Sequence, residues 1–516
     1  MGGLHVFCAA CNLHPKLAVN ALWGDVGKRV RIRVIVLPGE DGLCRFDVAL
    51  NFELNGQMRS ENDVSPSMTV LDYLRLKARL TGTKEGCAEG DCGACTIVIA
   101  PLGEDEPRYR AVNSCLMVVP QLDGHAVLTV EGLAECDGTL HSVQQSLVEA
   151  DATQCGFCTP GFVMAMFAFA QGGEERSDET IHEALAGNLC RCTGYRPIVE
   201  ACRVMRADPP GCGSANAGAQ SPAEEYRNGS QLYLTPRTLD QMADAKASHL
   251  DAIILSGGTD LGLRVSKDRI SFPAVISTRG VPALGKVSDD DGRLTIGGGA
   301  TYTQVLPYLD RHFPSFATLV RRIGSRQIRN LGTFAGNLAN ASPIGDTIPC
   351  LMALGAEIKL RSKNGTRLVP AEDFILGYRK TALAADEFIE SISIPLLSSG
   401  TSFTAYKLSK RFDQDISTVV AAFRLRTDNG TVSELRAAYG GMAAQAARAK
   451  NAEAAIIGKP WIADTVKDID AALAKDFQPM TDHRGTNAYR IRAAANLIRR
   501  LQMEMTGPAA LQVWDL

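Results

Sequence analysis

The sequence predicts a multidomain α+β protein, and three observations carry that prediction. Two groups of four cysteines lie in neighbouring segments, the first among short alternating strands and the second among short helices. A stretch rich in Pro, Gly, Ala and Ser from Asp208 to Pro222 reads as a linker. Beyond it come two glycine-rich segments and then a run of strands backed by helices. At 516 residues, and about 150 residues per domain, three or four domains are expected.

Composition narrows the function class. Hydrophobic content of 45% and charged content of 22% are those of a globular protein. A net charge of −3 argues against nucleic acid or an anionic membrane as partner. No apolar run approaches the ~20 residues of a membrane span. The N-terminus has neither a secretory layout nor a twin-arginine pair, so a cytoplasmic location is expected. Fifteen cysteines in such a chain favour metal ligation over disulfides.

Residues 1–50 do not read as a domain. Arg31 to Leu37 could form a strand, but no periodic partner follows. Cys8 and Cys11, with His5 and His14 nearby, make an incomplete ligand set. A disordered or non-native extension is expected there.

A first domain is expected over 51–134. Phe52 to Leu54 alternates, Asn55-Gly56 is a hairpin turn, and a second short strand follows. Pro66, Ser67 and Thr69 mark a helix start, with Val70, Leu71, Leu74 and Leu80 as its apolar face. Thr96 to Ile99 and Ala126 to Val130 are further strands. Between them Cys87, Cys92 and Cys95 fall in C-x4-C-x2-C spacing, and Cys115 follows. That is plant-type [2Fe–2S] spacing. Gly86, Gly90 and Gly93 sit where such a loop must turn tightly and aim amides at sulfur. Four thiolates also suit zinc, which usually takes two C-x2-C knuckles instead.

A second domain is expected over 135–206. His141 to Ala150, Gly161 to Ala170, Asp178 to Leu185 and Pro197 to Met205 read as four short helices. Cys155 and Cys158 precede one, and Cys190 and Cys192 precede another. Helix N-termini favour thiolates, and these two pairs supply four anions for a second [2Fe–2S] cluster. A zinc knuckle is the alternative.

After a linker over 207–230, a third domain is expected over 231–398. Pro236 opens a helix carrying Leu239, Met242 and Ala243. Ala252 to Leu255 is a strand that runs into Ser256-Gly257-Gly258-Thr259-Asp260-Leu261. A strand ending in a glycine turn suits a diphosphate, although alone it is only a turn. It is not G-x-G-x-x-G, so a Rossmann site is not indicated. Gly332 to Asp346 is a second segment of glycines and small polar residues. Two such segments suit a long cofactor with a diphosphate and a ribityl chain. A last α+β domain, 399–512, has strands at Phe403 to Leu408, Val419 to Leu425 and Leu435 to Met442. Its expected helices are Ala452 to Ile457, Val466 to Leu473 and Asn487 to Met503.

Together, Gly86 to Cys95, Gln154 to Gly161 and Gly187 to Tyr195 resemble the molybdenum hydroxylases. The resemblance covers residues 52–505. It implies, in order, a β-grasp ferredoxin domain, a four-helix [2Fe–2S] domain, a FAD domain of the vanillyl-alcohol-oxidase type, and a small C-terminal domain like that of carbon monoxide dehydrogenase flavoproteins. Both halves on one chain, with Tyr406 to Ile416 and Gly440 to Ala443, resemble the xanthine dehydrogenase branch.

The resemblance also implies residue roles. Cys87, Cys92, Cys95 and Cys115 would hold one cluster; Cys155, Cys158, Cys190 and Cys192 would hold the other. Ile254, Leu255, Ser256, Gly257, Gly258, Thr259, Asp260 and Leu261 would hold the FAD pyrophosphate. Thr333, Gly336, Asn337 and Asp346 would line the second flavin segment, with Ile323, Ile389 and Lys407 touching the flavin. Gln154 and Cys158 would lie near the molybdopterin of a partner. Phe334-Ala335-Gly336 departs from the more usual small-Gly-Gly, which puts the backbone path beside the flavin in question.

The implied function is an electron relay. A large molybdopterin-binding partner would oxidise hypoxanthine or xanthine to urate. Electrons would pass through the Cys155 group, then the Cys87 group, to FAD and on to NAD+. No catalytic side chain is assigned in this chain, and a heterotetramer of two small and two large chains is expected. Two rivals remain: the same role beside an aldehyde- or N-heterocycle-hydroxylating partner, and a zinc-binding structural protein.

Overall fold

The computed structural model describes residues 36–38, 44–46, 48–104, 106–211 and 222–507. His5, Cys8, Cys11, His14 and residues 212–221 of the linker lie outside them. Met1–Ala49 is a unit of its own. In it Val36–Pro38 pairs antiparallel with Cys44–Phe46, a partner strand that the sequence pattern did not reveal. Leu50–Leu516 is a second unit, built from four successive regions.

The first region is a five-stranded sheet in the order Gln57–Glu61, Leu50–Leu54, His125–Leu128, Thr96–Pro101, Arg110–Asn113. Leu50–Leu54 runs parallel to His125–Leu128 and the other pairs are antiparallel, a β-grasp arrangement. The expected helix is short. Val70–Asp72 starts where the Thr69 hydroxyl accepts the Asp72 N–H at 3.0 Å, and a wider turn continues over Tyr73–Lys77. Leu80 lies past its end but still packs on the core of Phe52, Val70, Leu74, Ile97 and Val127. Val130 belongs to a 3-10 turn rather than to the last strand.

In the second region four helices form close to the expected limits: Ser142–Glu149, Thr159–Gln171, Asp178–Leu185 and Arg196–Val204. Thr159–Gln171 is apolar on nearly every side and fills the centre, burying Phe162, Met164, Met166 and Phe167.

The third region has two sheets. Ile253–Leu255, Ala274–Ser277 and Gln231–Leu234 are parallel, and Glu225–Asn228 adds an antiparallel edge. That edge strand falls in the stretch read as linker. It is anchored by Tyr226, whose hydroxyl donates to the Val64 carbonyl at 2.7 Å and accepts the Val64 N–H at 3.0 Å. The following helix is Leu239–Ser248, capped by Thr238, so Pro236 precedes rather than opens it. The second sheet is antiparallel, ordered Val287–Ser288, Arg293–Gly297, Phe388–Pro395, Glu357–Ser362, Gly365–Pro370. In the fourth region Thr401–Leu408, Val419–Asp428, Thr431–Gly440 and Ala447–Arg448 form a sheet, and Lys450–Ile456 and Asn487–Thr506 pack into its core. The helix expected over Val466 to Leu473 is instead two, Ala463–Val466 and Asp470–Asp476.

Candidate metal centres and cofactor cavity

The first cysteine group lies in a loop bent by positive φ at Ala88, Gly90 and Gly93. A side chain at Gly93 would meet the Gly187 carbonyl at 2.3 Å, so only glycine allows this approach. The loop aims amides inward: the N–H groups of Glu89, Asp91 and Cys92 donate to Cys87 Sγ at 3.4, 3.3 and 3.4 Å. Donation from the Cys92 thiol, together with these amides, outweighs burial and holds the Cys87 thiol down to about 5. Cys95 and Cys115 form the other pair, with sulfurs 3.3 Å apart and Asn113 Nδ2 3.7 Å from Cys95 Sγ.

The second group is also paired. Cys155 interacts with Cys192, and Cys158 with Cys190. Cys158 is the N-cap of Thr159–Gln171, as expected. Cys190 and Cys192 sit in the loop before Arg196–Val204 rather than at its first turn. Their setting is made by the loop itself: the Cys190 N–H donates to the Tyr195 hydroxyl at 3.1 Å, and the Thr193 hydroxyl lies 3.2 Å from Cys190 Sγ. Burial disfavours the Cys190 thiolate, but donation from Thr193 outweighs it and lowers the pKa. Cys155 and Cys192 are exposed, beside exposed Phe157, Leu189 and Tyr195, and Gln154 is exposed next to them.

This pairing bears on which metal fits. A single zinc needs four ligands gathered about one point. Two thiol pairs suit two irons, each taking two cysteines.

A cavity of about 510 Å³ runs through the third region, a size typical of a cofactor site. It is lined by Ile254, Ser256, Gly257, Gly258, Thr259, Asp260 and Leu261 on one wall, and by Thr333, Gly336, Asn337, Ile323 and Ile389 on the others. The glycine turn is bare because it has to be: a Cβ on Gly257 would lie 1.8 Å from the Leu331 carbonyl oxygen. The Thr333 hydroxyl caps the next helix by accepting the Gly336 N–H at 3.0 Å. Phe334 is buried edge-on against Tyr302 and Phe316, and this leaves Ala335 on the cavity wall.

Three expected residues stand elsewhere. Leu255 points into the core shared with the first sheet, because alternation along Ile253–Leu255 sends it away from Ile254. Asp346 and Lys407 do not line the cavity. They form a buried ion pair of 2.7 Å, in which Lys407 also donates to the Arg322 carbonyl and Asp346 accepts from the Ser417 hydroxyl. Arg322 immediately precedes Ile323, so this pair braces the cavity wall from outside.

Sequence reasoning missed Tyr302, Thr278, Gly298, Ile328 and Phe388, all on the cavity wall. The run Gly297-Gly298-Gly299 was a visible signal for one of them, since a Cβ on Gly298 would lie 2.1 Å from the Ile389 carbonyl. Ile328 links the two sites. It lines the cavity, packs against the cluster of Leu71, Cys95, Cys115 and Leu116, and has its Cδ1 3.0 Å from where a Cβ on Gly90 would be.

The four regions match four known domains in the same order. Residues 52–120 match the 2Fe-2S iron-sulfur cluster binding domain and 129–203 the [2Fe-2S] binding domain. Residues 225–397 match the FAD binding domain in molybdopterin dehydrogenase, and 404–505 the CO dehydrogenase flavoprotein C-terminal domain. Xanthine dehydrogenase from Emericella nidulans is 32% identical, over 84% of this chain and 37% of that protein. Xanthine dehydrogenase 1 from Arabidopsis thaliana is also 32% identical, over 84% of this chain and 38% of that protein. Aldehyde oxidase 2 from Cavia porcellus is 29% identical, over 84% and 37%. The chain thus spans under two-fifths of the length of these relatives. Among solved structures, a carbon monoxide dehydrogenase chain from Hydrogenophaga pseudoflava superposes with a TM-score of 0.50 at 28% identity, covering 52% of this chain and 94% of that one.

Two [2Fe–2S]-type domains joined to a FAD-binding domain make this a redox protein built for electron transfer. The chain belongs to the molybdenum hydroxylase family and corresponds to its iron–sulfur/flavin portion.

Proposed function

We propose that this chain is the electron-transfer part of a xanthine dehydrogenase, carrying electrons from a molybdenum centre on a large partner to FAD and then NAD+. Cys155, Cys158, Cys190 and Cys192 hold the cluster on the partner side. Cys87, Cys92, Cys95 and Cys115 hold the one beside the flavin. Ser256, Gly257 and Gly258 offer bare amides to the FAD pyrophosphate, while Ile323, Thr333, Asn337 and Ile389 enclose the rest. When bound, the clusters supply one-electron carriage and FAD supplies hydride chemistry with NAD+.

The observation that carries this reading is the position of Ile328. One side chain lines the flavin cavity and packs against the apolar cluster that contains Cys95 and Cys115, which supports a short path between the two sites. Exposed Phe157, Leu189 and Tyr195 around Cys155 and Cys192 form an apolar face of the kind that meets a partner. The reading sets the protein in the cytoplasm, where thiols stay reduced, in a heterotetramer of two small and two large chains. Among the described residues no helix is long and apolar enough to cross a membrane.

The test is an assay of the copurified complex. Reduction of NAD+ with hypoxanthine or xanthine is expected; turnover of aldehydes or N-heterocycles alone would instead favour a different hydroxylase partner. That second reading is supported by the similarity to aldehyde oxidase 2.

A further inference from the structure

A second cavity, of about 250 Å³, lies between the first sheet region and the parallel sheet of the third. Its wall carries Arg110 and Arg279 together with Asp123, His125, Thr278 and Asn330. Neither cysteine group reaches it. Ser256, Gly257 and Thr278 line both this cavity and the flavin cavity, so they form the partition. The Thr278 hydroxyl donates to Ser256 Oγ at 3.0 Å within it.

Among the described residues the wall of this space carries two guanidinium groups and one carboxylate. Arg279 donates to the Gln121 carbonyl at 2.6 Å and to His125 Nε2 at 3.0 Å. His125 Nδ1 donates to the Asp123 carbonyl at 3.0 Å, so the ring is the neutral tautomer. Among the described residues Asp123 is the one carboxylate on the wall, and it is already engaged by the N–H groups of Asn51 at 2.8 Å and Ala223 at 2.6 Å. Among the described residues the Arg110 side chain meets no hydrogen-bond or ion-pair partner. Burial, and then repulsion from Arg110, pulls Arg279 down to about 10. Glu104 attracts Arg110 from outside the wall, and two guanidinium groups on the wall of one polar hole are stabilised by an anion brought between them.

We propose that this cavity binds a phosphate-type dianion, either inorganic phosphate or the phosphoryl group of a monoester, held by Arg110 and Arg279 behind the Ser256–Gly258 turn. The planar guanidinium forks match phosphate oxygens two at a time. Thr278 and Asn330 add hydroxyl and amide donors on the same wall. The site is additional to the FAD pyrophosphate site, from which the partition separates it.

The test uses the full chain with its clusters and flavin in place, titrated calorimetrically in phosphate-free buffer with inorganic phosphate and, separately, with AMP. Saturable binding near one site per chain is expected for at least one of them. Binding of phosphate alone identifies a free anion, and tighter binding of AMP identifies a monoester. Arg110→Met is expected to keep its iron and flavin and to lose about tenfold in affinity. Arg110→Lys, which keeps the charge but not the fork, is expected to fall between. No saturable heat with either anion, or undiminished binding in Arg110→Met, would overturn the proposal.

Discussion

The backbone N–H of Leu189 donates to the carbonyl of Cys92 at 3.0 Å. One hydrogen bond therefore joins the residue before Cys190 to a cysteine of the other group. Around it, Asn188 Nδ2 donates to the Gly93 carbonyl at 3.1 Å. Gln327, from the flavin-binding region, donates to Asn188 Oδ1 at 2.8 Å and to Thr96 Oγ1 at 3.3 Å. Three regions meet in one buried polar joint. Gln327→Leu should leave Asn188 Oδ1 unpaired and cost about 1–3 kcal/mol, read as a lower urea midpoint. The low end is expected, since Gln327 Oε1 is itself buried without a partner among the described residues.

The pairing of thiols makes the two cysteine groups separable. In Cys92→Ala, the EPR signal of one cluster should vanish while the other persists. Iron should fall from about four to about two atoms per chain. Survival of both signals would reject the assignment of Cys92.

Close approach makes the glycine turn intolerant. Gly257→Ala would drive a methyl group into the Leu331 carbonyl, 1.8 Å from the Cβ position, and should strip flavin from the purified protein. Gly285→Ala is the control, because a Cβ there meets nothing within 4 Å. Absorbance of bound flavin per chain checks both.

The Lys407–Asp346 pair is almost wholly buried, with side chains 3% and 7% exposed. Lys407→Met would strand a carboxylate in the interior, and about 3–5 kcal/mol should be lost. Denaturant unfolding measures this, and the paired variant Lys407→Met with Asp346→Asn should recover part of it.

His125 gives stability a pH dependence. Burial first, then Arg279 and Arg110, hold its pKa well below the ordinary value of about 6.5. In the unfolded chain the ring takes up a proton below about pH 6.5, whereas the folded ring does not. Its contribution is therefore complete above pH 6.5 and declines as pH falls below it, at up to about 1.4 kcal/mol per pH unit. Urea midpoints between pH 7.5 and 5.5 should fall less steeply in His125→Gln than in the parent protein.

Much of the site was legible because it is local. The cysteine spacings, the Ser256 to Leu261 turn and the four short helices each depend on residues within one loop or a few turns. Legibility failed where a side chain's direction or a distant partner decided the outcome. Glu225–Asn228 looked like linker because nothing near it shows that Tyr226 will be buried against Val64, 162 residues away. Leu255 belongs to a turn that faces a cofactor cavity, yet strand alternation turns it into the core.

Two four-thiol groups, a bare glycine turn and the order of the regions follow from the chain's local pattern, since loop geometry and helical period are set by near neighbours. Packing alone places Ile328 between the cluster holding Cys95 and Cys115 and the cavity, pairs Asp346 with Lys407 across 61 residues, and sets Arg110 and Arg279 on one hole. Such proximities arise when separately formed layers pack, and the packing of layers leaves no local period for a single sequence to display.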